Sequence, residues 1–178
     1  MWIDFKDSDD LTDADRAALN TLRLSVYPPD VRATLPALQF AWAPVQWHFL
    51  VYDDAGHLVS HVGVLTREVL LDGALVRIGG VGGVQTHPDA RGQGYASAAM
   101  ERAAIFFHDE AAVPFALLFC GTHRVSFYGG LGWQRFNGLT TVAQPGGNIP
   151  FNMNETLVRS ARRDAPTDGI LDLQGLPW

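Results

Sequence analysis

The residues best suited to chemistry lie in one stretch, Val81-Gly82-Gly83-Val84-Gln85-Thr86-His87-Pro88-Asp89-Ala90-Arg91-Gly92-Gln93-Gly94-Tyr95-Ala96. It reads as a strand that runs into a proline turn, then a glycine-rich turn, then the start of a helix. The first N–H groups of a helix have no partner inside it, and the helix dipole adds partial positive charge there. Gly92 and Gly94 let the main chain approach a bulky anion with no Cβ in the way, and Arg91 adds a fixed charge with several donors. The chemistry this favours is the cradling of a phosphate group. Two common nucleotide loops do not fit. The phosphate-binding loop of nucleotide hydrolases needs a lysine followed by Ser or Thr after its second glycine, where this chain has Tyr95. The dinucleotide fingerprint needs three glycines opening a parallel βαβ unit, and only two fall in place.

The elements around this stretch can be read from pattern. Thr12–Val26 is a helix: Thr12 with Asp15 three residues on resembles a capping box, and Ala18, Leu19, Leu22 and Val26 keep helical spacing until Pro28-Pro29. Pro28–Val45 has no clean period and reads as a short helix or ordered loop carrying Phe40 and Trp42. Trp47–Asp53 and Leu58–Arg67 flank the turn residues Asp53-Asp54-Ala55-Gly56 as a hairpin, and Glu68–Leu71 and Ala74–Ile78 flank Asp72-Gly73 as a second. Val81–Thr86 is a further strand, whose Gly82-Gly83 marks a bulge or a close approach by a backbone or ligand. Gly94–Phe107 is helical, with Ala96, Met100, Ala103, Ala104 and Phe107 on one face. Phe115–Cys120 suits a strand buried on both faces. A short helix is expected within Arg124–Leu131, strands over Gly132–Phe136 and Asn154–Arg159, and a polar tail from Asp164 to Trp178. The order implies an α+β fold on one mixed sheet, a single domain over residues 1–178.

Composition narrows the class. A net charge of −6 argues against a nucleic-acid binder carried by bulk positive charge. The single cysteine, Cys120, excludes an internal disulfide and a zinc site built on several cysteines, so no metal is expected. The acidic start, MWIDFKDSDD, lacks the order of a signal peptide, and no apolar run approaches the roughly 18 residues of a membrane span. The expectation is a cytoplasmic protein with no nucleic-acid or membrane partner.

Arg91-Gly92-Gln93-Gly94-Tyr95-Ala96 also fits the pattern Q/R-x-x-G-x-G/A, it follows Val84-x-Thr86-His87-Pro88, and Phe127-Tyr128-Gly129-Gly130-Leu131-Gly132-Trp133 lies downstream. Together these resemble the GNAT superfamily of acetyl-CoA-dependent N-acetyltransferases, over Val81–Phe107 and Ser126–Phe136. The resemblance implies a GNAT-like fold, a central, mixed, mostly antiparallel sheet with a splayed, bulged strand and helices on both faces. It implies acetyl-CoA as cosubstrate, its pantetheine arm along the backbone of Val84 and Thr86. The pyrophosphate would sit on the amides of Arg91, Gly92, Gln93, Gly94, Tyr95 and Ala96, with Ser97 at the rim. It implies direct attack by an amine on the thioester, which needs no enzyme nucleophile, so Cys120 reads as a core residue. Tyr128 matches the tyrosine that protonates the departing thiolate in many such enzymes; the alternative is a ring packed with Phe127 against the cofactor. His48, His61, His87 and Glu155 stay open as the base.

A closer resemblance, over Trp47–Trp133 and in the terminal Trp178, is to the class I aminoglycoside 2′-N-acetyltransferases. It implies Asp172 and Trp178, the latter through its carboxylate, as substrate-binding residues, although Leu171–Trp178 can equally be a tail docking its aromatic end on the sheet. The chain departs from that group at Gly82, where the group has a glutamate, and at Leu176, where it has an acid. The expected activity is acetyl transfer to a primary amine of a small molecule, with an aminoglycoside or other aminosugar as one candidate. Nodulation-type acyl transfer with a longer acyl chain is a further one. The subgroup's habit of pairing implies a homodimer. The alternative is a catalytically silent domain that binds CoA as a sensor or partner module.

Overall fold

The computed structural model describes residues 1–178, apart from the side chains of Arg32, Pro36 and Ala37. The chain opens on a strand, β1 (Trp2–Asp7), followed by α1 (Asp13–Val26) and α2 (Pro29–Arg32). β2 (Trp47–Tyr52), β3 (Leu58–Leu71) and β4 (Ala74–Thr86) then run antiparallel to one another. α3 (Tyr95–Asp109), β5 (Phe115–Cys120) and α4 (Val125–Gly129) come next. β6 (Gln134–Arg135), β7 (Leu139–Gln144), β8 (Gly147–Pro150), β9 (Glu155–Ser160) and β10 (Ile170–Asp172) complete it. The α+β reading holds: the sheet has 10 strands, most in the order β6-β9-β5-β4-β3-β10-β7-β8, with β2 on β3 and β1 on β2. The pairs β4–β5 and β10–β7 are parallel and the rest antiparallel.

α1 begins where its sequence says it should. Thr12 Oγ1 accepts the Asp15 N–H at 3.2 Å, while the Asp15 carboxylate accepts the Thr12 N–H at 2.9 Å, a reciprocal capping box. Lys6 of β1 donates to Asp15 at 2.8 Å, and with Thr12 it holds the Asp15 carboxyl down at about 2.

Several segments differ from their sequence reading. Leu58–Arg67 and Glu68–Leu71 form one strand, as do Ala74–Ile78 and Val81–Thr86, because the long hairpin runs unbroken from Ser60↔Thr86 to Leu71↔Ala74 save one bulge. Gly79-Gly80 therefore lies inside β4, where parallel pairing with Ala116 and Leu117 of β5 occupies it. The acidic start is a strand because β2 pairs with it along its length and Tyr52 stacks on Trp2 at 4.0 Å. Gly132–Phe136 shrinks to the two-residue β6, and the hairpin β7–β8 was not anticipated. The tail is no polar appendage: β10 joins β3 and β7, and Leu171, Leu173 and Trp178 are buried.

Two cores result. One holds α3, through Met100, Ala103, Phe106 and Phe107, against Phe49, Val62, Val64 and Val81 of the sheet. The other gathers Leu65, Ile78, Leu117, Phe151, Leu171, Leu173 and Trp178, with Phe40 and Trp42 packed on it.

Candidate active site

β4 and β5 pair only from Gly79↔Ala116 to Val81↔Leu118. Beyond that point β4 continues to Thr86 and β5 to Cys120 without pairing, and a cleft of about 910 Å³ opens there. β4 bulges at the same place, where the register with β3 shifts between His61 and Gly63. The bulge falls on Gly83, whose φ of +61° suits glycine. Residues 81–86 form one wall of the cleft and Leu118 through Gly121 the facing one.

The cradle closes one end. Arg91, Gly92, Gly94, Tyr95, Ala96 and Ser97 all line the cleft. Gly94 caps α3 with φ +84°, which L side chains rarely adopt. The first bond of the helix ladder runs from the Ala98 N–H to the Gly94 carbonyl at 3.0 Å, so the amides of residues 95–97 precede the ladder. A Cβ built on Gly92 or Gly94 meets nothing within 4 Å, so no side chain plugs the turn. An open anion site at the N-terminus of a 15-residue helix fits the diphosphate of a CoA thioester. Arg91 is tied to the end of β4 by its Nε on the Thr86 carbonyl at 3.4 Å. Of the expected cradle residues only Gln93 turns away: it does not line the cleft, and its amide donates to the Asp89 carbonyl at 3.2 Å. Val84 and Thr86 line the wall leading to the cradle.

Tyr128 reaches the cleft from α4 and is buried, its ring edge-on to Phe127 at 5.0 Å. Its hydroxyl has no hydrogen-bond partner among the described residues, and burial pushes the phenol above its ordinary range. It stays protonated at neutral pH, as a proton donor must. Cys120 also lines the cleft, but burial pushes its thiol up to about 11, so it is no thiolate nucleophile at neutral pH.

The far end of the cleft is built by distant segments: Tyr27, Leu35, Trp42, Phe119, Met153 and Trp178. Trp178 lies on the sheet over glycine. A Cβ on Gly80 would overlap its ring, and one on Gly82 would stand 3.1 Å from its main-chain carbonyl carbon. Its Nε1 donates to the Leu117 carbonyl at 3.3 Å, and the Arg67 guanidinium lies 5.1 Å from its ring centroid. A glutamate at position 82 would need Trp178 to give by a few tenths of an ångström. Asp172 is not on the cleft; its carboxylate accepts the Gln174 N–H at 2.9 Å.

The charged side chains on the lining are of one sign. Arg91 and Arg124 line it, and no Asp or Glu does. His123, which the sequence reading missed, is the one lining imidazole among the described residues. Its Nε2 accepts from Arg124 Nε at 3.1 Å, so that lone pair is engaged. Of the open bases, His61 is buried behind the bulge, His87 accepts the Asp89 N–H at 3.3 Å, and Glu155 is bound by Arg135 and Thr122. Among the described residues no group of three His, Cys, Asp or Glu side chains can hold a metal ion, and no helix is long and apolar enough to cross a membrane.

Comparison with known proteins agrees with this geometry. The family model for the acetyltransferase (GNAT) domain matches residues 9–136. No curated protein matches the chain in sequence. Among solved structures, an acyl-CoA N-acyltransferase from Pseudomonas aeruginosa is 21% identical, with TM-score 0.59 over 89% of this chain and 99% of that one. The Escherichia coli GNAT protein YhbS in complex with CoA is 15% identical, with TM-score 0.62 over 97% and 88%. A Brucella melitensis GNAT acetyltransferase in complex with acetyl-CoA is 14% identical, with TM-score 0.58 over 96% and 94%. These likenesses are of fold. With the family model covering most of its length, the chain belongs to the GNAT acetyltransferase family.

Proposed function

We propose that this chain transfers an acetyl group from acetyl-CoA directly to the primary amine of a small molecule. The observation that carries the reading is the continuous cleft joining a bulged strand, an unplugged helix N-terminus and a buried tyrosine with an unpartnered hydroxyl. The amides of Arg91, Gly92, Gly94, Tyr95 and Ala96, with Ser97 at the rim, would hold the pyrophosphate, and the backbone of Val84 and Thr86 the pantetheine arm. Acetyl-CoA supplies an activated acyl carbon. As the new C–N bond forms and the C–S bond breaks, the Tyr128 hydroxyl gives its proton to the leaving sulfur, the acylated nitrogen sheds its extra proton to water, and the phenolate regains a proton from water.

The lining also bears on the acceptor. A polycationic aminoglycoside is best held by several carboxylates, and the charged side chains of this cleft are two arginines. Trp42, Phe119, Met153 and Trp178 suit an apolar or aromatic body carrying one amino group. With the imidazole of His123 engaged and no Asp or Glu side chain on the lining, an amine that arrives protonated would lose its proton to water. The rate with such an acceptor should therefore rise with pH along the amine's own titration.

Release of CoA thiol measured across an amine panel tests the reading. The panel should set phenethylamine and an arylamine against tobramycin and kanamycin, with the first pair turned over faster. Faster turnover of the aminoglycosides would restore the resemblance in its finer form. The lack of a base on the lining favours a second reading, a silent CoA-binding module. Tight CoA binding with no thiol released by any amine would establish it.

A further inference from the structure

A line of hydrogen bonds reaches the cleft floor from behind. Ser8 Oγ lies 2.8 Å from the Val45 carbonyl oxygen and 3.0 Å from His48 Nε2. His48 Nδ1 lies 2.9 Å from His61 Nε2, and His61 Nδ1 lies 2.8 Å from the Gly83 carbonyl oxygen. Ser8 and His48 are half-buried, so the outer end is open to proton exchange, while His61 is buried.

Each of these four contacts needs one hydrogen. The carbonyl oxygens at both ends supply none, and Ser8 and two neutral imidazoles supply one each. The line is one hydrogen short when both rings are neutral and complete when the pair holds one proton. A second proton would set N–H against N–H across the 2.9 Å gap. The neutral arrangement follows from the inner end. The Gly83 oxygen only accepts, so His61 donates from Nδ1; its Nε2 must then accept, so His48 also donates from Nδ1.

Gly83 is the bulge of β4, and in a planar trans peptide the N–H of the next residue points opposite to the carbonyl. Gly83 and Val84 line the cleft, and His61 does not. We propose that His48 and His61 act together as positioning residues for acyl transfer. They pin the Gly83 carbonyl on one side of the bulge and so hold the Val84 N–H toward the cleft, as a donor to the thioester oxygen. The proposal rests on the acetyltransferase reading. A proton on the pair turns the bond to Gly83 into a charge-assisted one and polarises that peptide further.

Burial, and after it the surrounding charges, sets when this happens. α1 brings Arg16, which disfavours a proton on His48, and β1 brings Asp7, which favours one. Lys6, opposite His48 in register, is held by Asp15, and the segments around Val45 and Gly83 carry no titratable side chain. Burial lowers both rings, His61 to about 4. The pair is neutral at neutral pH and takes its proton on the acid side of 6.5.

Long-range ¹H–¹⁵N spectra of the imidazoles in the wild-type protein test this without substrate. Above pH 8 both rings should carry hydrogen on Nδ1; an Nε2–H form of either ring overturns the proposal. On acidification the two rings and the Val84 amide should shift together with one midpoint, and separate midpoints or an unmoved Val84 overturn it. In kinetics, His61→Gln, which can still donate to Gly83, should keep kcat within about threefold, whereas His61→Leu should lose about tenfold in kcat with KM for acetyl-CoA unchanged. Equal losses in the two variants would mean packing alone. Wild type that transfers no acetyl group removes the reaction the pair serves, even with the tautomers as stated. Active wild type with the wrong tautomers removes the pair's role and leaves the reaction.

Discussion

The two ends of the cleft are made in different ways. The cradle end comes from one contiguous stretch, Val81 to Ser97, in which a bulged strand, a turn and a helix start follow in order. The far end comes from pieces distant in sequence, with Tyr27, Leu35 and Trp42 meeting Phe119, Met153 and Trp178. The first is main chain exposed by glycine, and the second is aromatic surface laid over glycine. A backbone cradle tolerates drift in side chains, whereas a side-chain wall changes with every substitution.

The strongest way to break the contrast is at Trp178. Trp178→Ala should cost about 3–5 kcal/mol of stability, read as a lower denaturation midpoint, because it empties a site packed on Gly80 and under Arg67. CoA affinity of the protein still folded should stay within about threefold, since the cradle shares no contact with the indole. A matching fall in CoA affinity would show that the two ends are one unit.

Tyr128 stands between the ends. Tyr128→Phe should lower kcat about 100-fold and leave the Kd for CoA unchanged, in steady-state kinetics beside calorimetry. An undiminished kcat would remove the donor role. Because burial raises the phenol above 10, ionisation of Tyr128 should cause no loss of activity below pH 10.

A smaller effect serves as control. Thr12→Ala, remote from both ends, should cost about 1 kcal/mol in chemical denaturation with no change in CoA binding. The Asp15 carboxyl it helps to hold is lowered from 3.8 to about 2, so its contribution is full above 3.8 and is lost as pH falls through about 2. The stability gap between wild type and Asp15→Asn should close over that acid range.

The same contrast explains what the sequence discloses. Short-range features were legible: the Thr12–Asp15 cap, the turn at Asp72-Gly73, and the strand–turn–helix of the cradle. β1 was missed because an acidic, half-exposed WIDFKD becomes a strand only against β2. β10 was missed because its three residues gain their place from β3 and β7 on either side. Asp172 was drawn into the site by resemblance alone, yet its carboxylate is spent on the turn at Gln174. His123 had no local signal: only the folding of the loop after β5 beside Tyr128 brings it to the cleft.

Calorimetric titration of CoA into wild type and Gly94→Val shows whether the main chain at Gly94 grips the diphosphate of CoA. A Cβ at Gly94 enters space free of protein atoms, so the variant's branched side chain would occupy the room an anion needs. Wild type should bind clearly, and the Kd should rise about 100-fold, or about 2.7 kcal/mol, in a variant that remains folded. Equal affinity in the two proteins would contradict it.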